Sequence, residues 1–467
     1  MTKTLKKMTA VAAGLVIMTL ASVAQDSGAL VDALVKKGIL TDQEAEEIRA
    51  DLTKEYSQTN AGKLNFSSAV TQLKIYGDAR VRYQWENAQT NQTNVGGTTQ
   101  ANVNQDRSRY RYRVRLGAEY TLTDNFKAGV RLETAQASDS TNSDFGRYFS
   151  KDPINIGLAY LEYEDTKSAP FGMADNVDVR LGKMLNPFYF SPEFWDSDIN
   201  PEGLSAKLGW KNVGESGLNL SLGGAGYVTA EANNSTANTD DGFLLVGQVQ
   251  MDYTFANKSN LMFAPTILTE SQGTLALSGA YTGESTSSVA YRSQANENEQ
   301  LFQGDLTVLM LPVQYTWKGW GFSHKVWATY AYNFAASKRY RDMTAANDNS
   351  GLSAANMQNM KKGQDSAFDV GYQLGENKKK GDFSITGYYS YVEAAAYTSN
   401  LSDSDFAKNL LNQQGTTLQL TYNLTDAITT TAKWFHSNEI DKGMANVASA
   451  GAKDTIDVLQ LDVAWKF

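Results

Sequence analysis

The sequence predicts an all-β chain closed into a transmembrane antiparallel barrel, and three observations carry that prediction. The first is segment 109–122, RYRYRVRLGAEYTL, in which Tyr110, Tyr112, Val114, Leu116, Ala118, Tyr120 and Leu122 share one parity. Arg109, Arg111, Arg113 and Arg115 share the other. A period of two marks a strand. Ordinary strands run ~5–6 residues, and a much longer one with an apolar and a cationic face suits a wall between lipid and a water-filled lumen. The second is the alternation of short turns with long polar connections from residue 73 to the end. The third is that no apolar run of ~18 residues follows the N-terminal segment, so only a closed barrel could cross a membrane.

Composition narrows the function classes. The 467 residues carry a net charge of −9, 24 Tyr, two His and no Cys. An acidic balance argues against a general nucleic-acid binder. Without cysteine there are no disulfides and no thiolate metal sites, and neither a metal nor a cofactor is expected.

At the N-terminus, Lys3, Lys6 and Lys7 precede an apolar segment, 8–20, and the small residues Ser22 and Ala24. This pattern predicts an export signal over 1–24. Residues 25–57 are expected to form a periplasmic helical hairpin. Leu30, Val31, Leu34 and Val35 make its first apolar stripe, ending at Gly38. The run Thr41-Asp42-Gln43-Glu44 reads as a capping box opening the second helix. Residues 58–72 are a polar linker, and 73–467 the barrel.

Within 73–467 the short turns fall at 123–125, 166–175, 211–217, 257–260, 318–321, 376–380 and 425–426. The long connections fall at 87–106, 138–152, 186–201, 231–241, 283–303, 335–365, 398–415 and 438–454. Seven short and eight long connections give about sixteen strands, with short turns on the periplasmic side and longer loops outside. Pro265 and Pro312 interrupt two poorly alternating stretches, and because proline is rare inside a sheet, eighteen strands is the alternative. The last strand, VLQLDVAWKF, alternates cleanly and ends on Trp465 and Phe467, a pattern like the signal read by the outer-membrane assembly machinery.

Energy fixes the register. Each Arg on a lipid face near the midplane costs ~2–4 kcal/mol, so four would cost on the order of 10 kcal/mol. The arginines must therefore face the lumen. The same parity places Arg80, Arg82, Arg131 and Arg180 inside. Together with Arg109, Arg111, Arg113 and Arg115 they are expected to form a pore-lining basic wall. Tyr83, Trp85, Tyr120, Phe126 and Trp434 fall outside near strand ends, where aromatic girdles belong.

Four blocks carry a resemblance: LVKKGILTDQEAEEI, the arginine strand continued as TDNFKAGVRLETA, DFGRYFSKDPINIGLAYLEYE, and VRLGKMLNPFYFSPEFWDSDINPEGLSAKLGW. On these the chain resembles the putative porins of Gram-negative outer membranes over nearly all of its length. The fourth block is longer around 188–193 than the family pattern. The resemblance implies an outer-membrane porin, a water-filled channel for passive diffusion of small hydrophilic solutes. It also implies outer-membrane lipid and the assembly machinery as partners, and a homotrimer. By analogy with general porins, loop 186–201 folds inward, and Glu193, Asp196, Asp198 and the adjacent Glu202 are its expected constriction acids. An anchor or adhesin, or a barrel enzyme, is the alternative. The enzyme would have only His324 and His436 as bases, both on outward parity, and no G-x-S-x-G element.

Overall fold

In the computed structural model, the chain divides into one unit ending at Ser68 and a second running from Ala69 to Phe467. In the first, the described residues are 35–37, 41, 43–46 and 48. In the second they are 70–467, apart from 91–93, 96–97, 100–102, 123–124, 136–139, 147, 167–171, 173, 231–240, 272–305, 337–363, 394, 399, 410 and 441–454. The predicted export signal, most of the hairpin and residues 58–69 of the linker fall outside the described residues, and Gln72, at the predicted linker's end, already opens the first strand.

The capping box is formed. The Thr41 backbone N–H donates to Glu44 Oε2 at 2.8 Å and the Glu44 N–H donates to Thr41 Oγ1 at 3.3 Å. These are the two reciprocal bonds that satisfy otherwise orphaned donors at a helix start.

The second unit is a closed antiparallel barrel. Its strands are β1 (Gln72–Thr90), β2 (Val103–Thr121), β3 (Phe126–Thr134), β4 (Ile154–Asp165), β5 (Asn176–Lys183) and β6 (Glu202–Trp210). Then follow β7 (Leu218–Ala230), β8 (Gly242–Thr254), β9 in two pieces (Asn260–Phe263 and Thr266–Ser271), β10 (Leu306–Gly319) and β11 (Phe322–Asn333). The series ends with β12 (Ser366–Gly375), β13 (Phe383–Val392), β14 (Gln413–Asn423), β15 (Ile428–Glu439) and β16 (Thr455–Lys466). Each strand pairs with the next, and β16 returns to β1 from Asp78↔Lys466 to Gln89↔Thr455. Among the described residues the count is sixteen, with a short pair at Ser143–Asp144 against Arg111 and Tyr112, and a separate two-residue ribbon at Asn94–Val95 and Thr98–Thr99.

The two prolines explain why sixteen holds. Phe263 pairs with Val313 and Thr266 with Met310, so the break at 264–265 lies opposite Pro312. Ala264 N–H donates to the Pro312 carbonyl at 3.0 Å, and Val249 N–H to the Pro265 carbonyl at 3.1 Å. Both missing donors are confined to one gap in the ladder, so the strand is interrupted without being lost.

Outward residues such as Ile75, Val81, Val114, Leu116, Leu181, Leu245 and Val463 are exposed and apolar. Around the turn end, Tyr253, Phe255, Tyr315, Trp317 and His324 form a continuous aromatic chain, with neighbouring ring centroids 4.7–6.2 Å apart. An apolar band of this extent bordered by aromatics is the outer surface of a lipid-embedded barrel.

The inner wall has two characters. Along β1–β6 it is charged. Along β7–β12 it is largely apolar, with Tyr227, Leu244, Val246, Leu268, Val308 and Met310 buried. What covers that apolar half comes from two connections, 184–201 and 393–412, which contribute Phe188, Phe194, Trp195, Tyr397 and Leu401 to the same cluster.

Candidate functional site

Cross-strand register builds the site. Arg80 lies opposite Arg113 and Arg82 opposite Arg111, so β1 and β2 place like charges directly across from each other. Such pairs repel unless counter-charges intervene. Asp78 supplies one, accepting from Arg113 at 2.8 Å and Arg115 at 2.7 Å. Asp462 on β16 lies 2.8 Å from Arg82 and 3.7 Å from Arg80. Glu86 takes Arg109 at 2.5 Å. Farther round the wall, Arg131 pairs with Glu133 at 2.8 Å, and Arg180 with Asp178 at 2.8 Å and Glu162 at 3.2 Å.

Three loops bring further acids onto the same rows. Asp144, from the β3–β4 connection, lies 2.9 Å from Arg107, 3.1 Å from Arg109 and 2.8 Å from Arg111. Asp198, from the β5–β6 loop, lies 3.6 Å from Arg113 and 3.8 Å from Arg115. Asp405, from the β13–β14 loop, lies 3.3 Å from Arg82. Every one of the eight predicted wall arginines thus has a carboxylate within 3.7 Å. Their side chains range from 5% exposed at Arg82 to 23% at Arg180. The wall is on the inner face where parity placed it, but it carries its own compensation and is partly roofed.

The β5–β6 loop folds inward for local reasons. Asn186 Oδ1 accepts from Phe188 N–H at 3.1 Å, setting a turn around Pro187. Tyr189 then docks on β8 through Gln248, which accepts its N–H at 3.1 Å and donates to its carbonyl at 2.8 Å. Thr329 Oγ1 on β11 donates to Ser191 Oγ at 2.8 Å. The chain therefore crosses the apolar inner face before returning through Asp198, whose N–H donates to Asp196 Oδ1 at 2.8 Å. Asp198 Oδ2 accepts from the Thr141 hydroxyl at 3.1 Å.

The four expected loop acids therefore separate. Asp198 meets the arginine rows. Glu193 and Asp196 are buried where the two inward loops meet, and burial together with nearby carboxylates, Asp403 above all, pushes both well above the ordinary carboxylate range. Glu202 opens β6, is exposed, and pairs with Lys183 at 2.7 Å. For Asp405 burial is the largest single influence and acts upward too, but Arg82, Lys433 and Arg80 together outweigh it and hold the group low.

What the sequence left unmarked is the β13–β14 loop, which reads as one more polar connection. Its Tyr397 hydroxyl donates to the Phe194 carbonyl at 2.5 Å, and the two rings meet edge-on at 5.2 Å. Leu401 carbonyl accepts from Asp196 N–H at 2.8 Å, and Ser404 N–H donates to Asp196 Oδ2 at 2.8 Å. The aromatic residues in 397–406, set among small ones, were the available signal.

The remaining named residues are placed as follows. Phe467 exchanges backbone bonds with Gly77 at 3.0 and 3.1 Å, and its ring lies 5.0 Å from that of Trp465 at the closing seam. His324 stacks on Trp317 in the aromatic chain. His436 contacts Asp457 at 2.9 Å. Among the described residues no His, Asp and Glu group has metal-binding geometry.

A family model described as Putative porin matches residues 21–467. No curated protein matches the sequence. Among solved structures, OprB of Pseudomonas putida is similar at 10% identity and a TM-score of 0.46, covering 85% of this chain and 94% of that one. OmpF of Salmonella typhi, in complex with daunomycin, is similar at 11% and 0.44, covering 86% and 99%. The outer membrane channel DcaP of Acinetobacter baumannii is similar at 13% and 0.42, covering 86% and 99%.

Proposed function

Because the chain belongs to the putative porin family and is thereby an outer-membrane channel, we propose that it passes small hydrophilic solutes by passive diffusion through a lumen narrowed by the inward β5–β6 loop. The observation that carries this is Asp198, held on an inward loop 3.6 Å from Arg113 and 3.8 Å from Arg115. Acid and base side by side in a narrow, partly desolvated passage create a steep local field. Such a field favours solutes that can exchange ordered water for their own hydroxyls or dipoles, and penalises apolar ones. Because each wall arginine has a carboxylate nearby, the net charge preference is weak.

In this reading the protein reaches the outer membrane through an export signal over 1–24, uses Trp465 and Phe467 during barrel assembly, and works as a homotrimer without a cofactor. Family and fold are those of a non-enzymatic channel.

Single-channel recording of Asp198→Asn in planar bilayers tests the proposal. Removing the loop's charge should raise conductance and move the reversal potential in a salt gradient toward the anion. Unchanged conductance and selectivity would contradict it.

A further inference from the structure

The described residues of the β13–β14 loop, which are 393, 395–398, 400–409 and 411–412, cross the lumen. On one side Phe406 is buried among Ala88, Phe435, Ile456 and Val458, an apolar patch formed by the inner faces of β1, β15 and β16. Two ion pairs fix it there: Asp405 with Arg82 at 3.3 Å, and Lys408 with Glu86 at 2.8 Å. On the other side Tyr397, Leu401 and Ser404 hold the β5–β6 loop through Phe194 and Asp196. The Asp403 N–H also donates to the Glu193 carbonyl at 3.3 Å. A connection that merely capped the outside of the barrel would leave its apolar residues wet, yet Ala396, Tyr397, Leu401, Phe406 and Leu411 are all at least nine-tenths buried.

We propose that this loop is a second constriction element, which clamps the first in place and, through Asp405, masks the charge of the β1 arginines. The proposal rests on the channel reading above and adds a residue that governs bore and charge selectivity. The mechanism is electrostatic and steric together. An apolar plug and two ion pairs seat the loop on the wall, and that seat determines where the β5–β6 loop lies. If Asp405 is replaced by a cation, it meets Arg82 at contact distance. Repulsion in a partly buried setting then unseats the loop.

The test is planar-bilayer recording on the full chain, comparing wild type with Asp405→Arg and with Lys378→Gln, an exposed turn residue, as control. The result expected is a larger single-channel conductance for Asp405→Arg, with the reversal potential shifted toward the anion, and wild-type behaviour for the control. Unchanged conductance and selectivity in Asp405→Arg would overturn the proposal. If that variant does not assemble, Asp405→Cys uses the natural absence of cysteine in the chain. A membrane-impermeant cationic thiol reagent should then produce a step change in current, and the absence of a step overturns the proposal. Wild-type channels that carry no current would overturn the channel reading and this inference with it.

Discussion

At the scale of single residues, the site is governed by how buried charge is neutralised. The arginines use partners, since an unpaired buried ion costs several kcal/mol. Glu193 has no such cation at hand: it is 2% exposed, and its Oε2 has no hydrogen-bond partner among the described residues. Asp403 and Asp369 push the same way as burial, and the Ser390 hydroxyl and, less strongly, Lys433 oppose them. Burial and these carboxylates therefore favour its neutral form. An acid whose folded pKa is raised contributes stability that is complete below its unfolded value, about 4.3, and is lost as pH rises toward the folded one. Glu193→Gln, which fixes the neutral form at nearly the same volume, should assemble normally. Its thermal midpoint should fall less than that of wild type between mildly acidic and alkaline pH. Parallel melting curves across that range would contradict this account.

At the scale of elements, legibility followed from what each strand faces. β2 was readable because one side meets lipid and the other a charged lumen, so its sequence alternates sharply. β8, β9 and β10 were not, because beside their outward apolar residues they also carry apolar residues on the inner face. Leu245, Ile267 and Leu311 point outward, whereas Leu244, Leu268 and Met310 point in against the loops. Weak alternation in those strands is the trace of a covered lumen rather than of a broken strand. Strand order and turns came from spacing that only a barrel satisfies. The inward path of residues 393–412 did not, because it depends on contacts such as Tyr397 with Phe194 that are 203 residues apart. The closing seam makes its own demand. A Cβ on Gly77 would lie 2.6 Å from the Phe467 ring and 2.3 Å from the Arg115 carbonyl oxygen. The backbone of the neighbouring strand cannot yield that space cheaply. Gly77→Val should thus lower the yield of folded barrel, read as the fraction that migrates in compact form on gels without heating. An undiminished compact fraction would count against a tight seam.

At the scale of the whole molecule, the barrel's two inner halves explain each other. The apolar half gives the inward loops a surface to pack on. The charged half anchors their acidic residues, so that Asp144, Asp198 and Asp405 each reach a different part of the arginine rows. Packing places the loops and charge fixes their ends, which in the proposed channel narrows the passage and lines it with matched charges. In the proposed function this passage admits small hydrophilic solutes, and liposome swelling with neutral sugars of increasing size measures that admission. Swelling should exceed that of protein-free liposomes and slow as the sugar grows, whereas rates equal to protein-free liposomes, with the barrel verified as folded, would contradict the account.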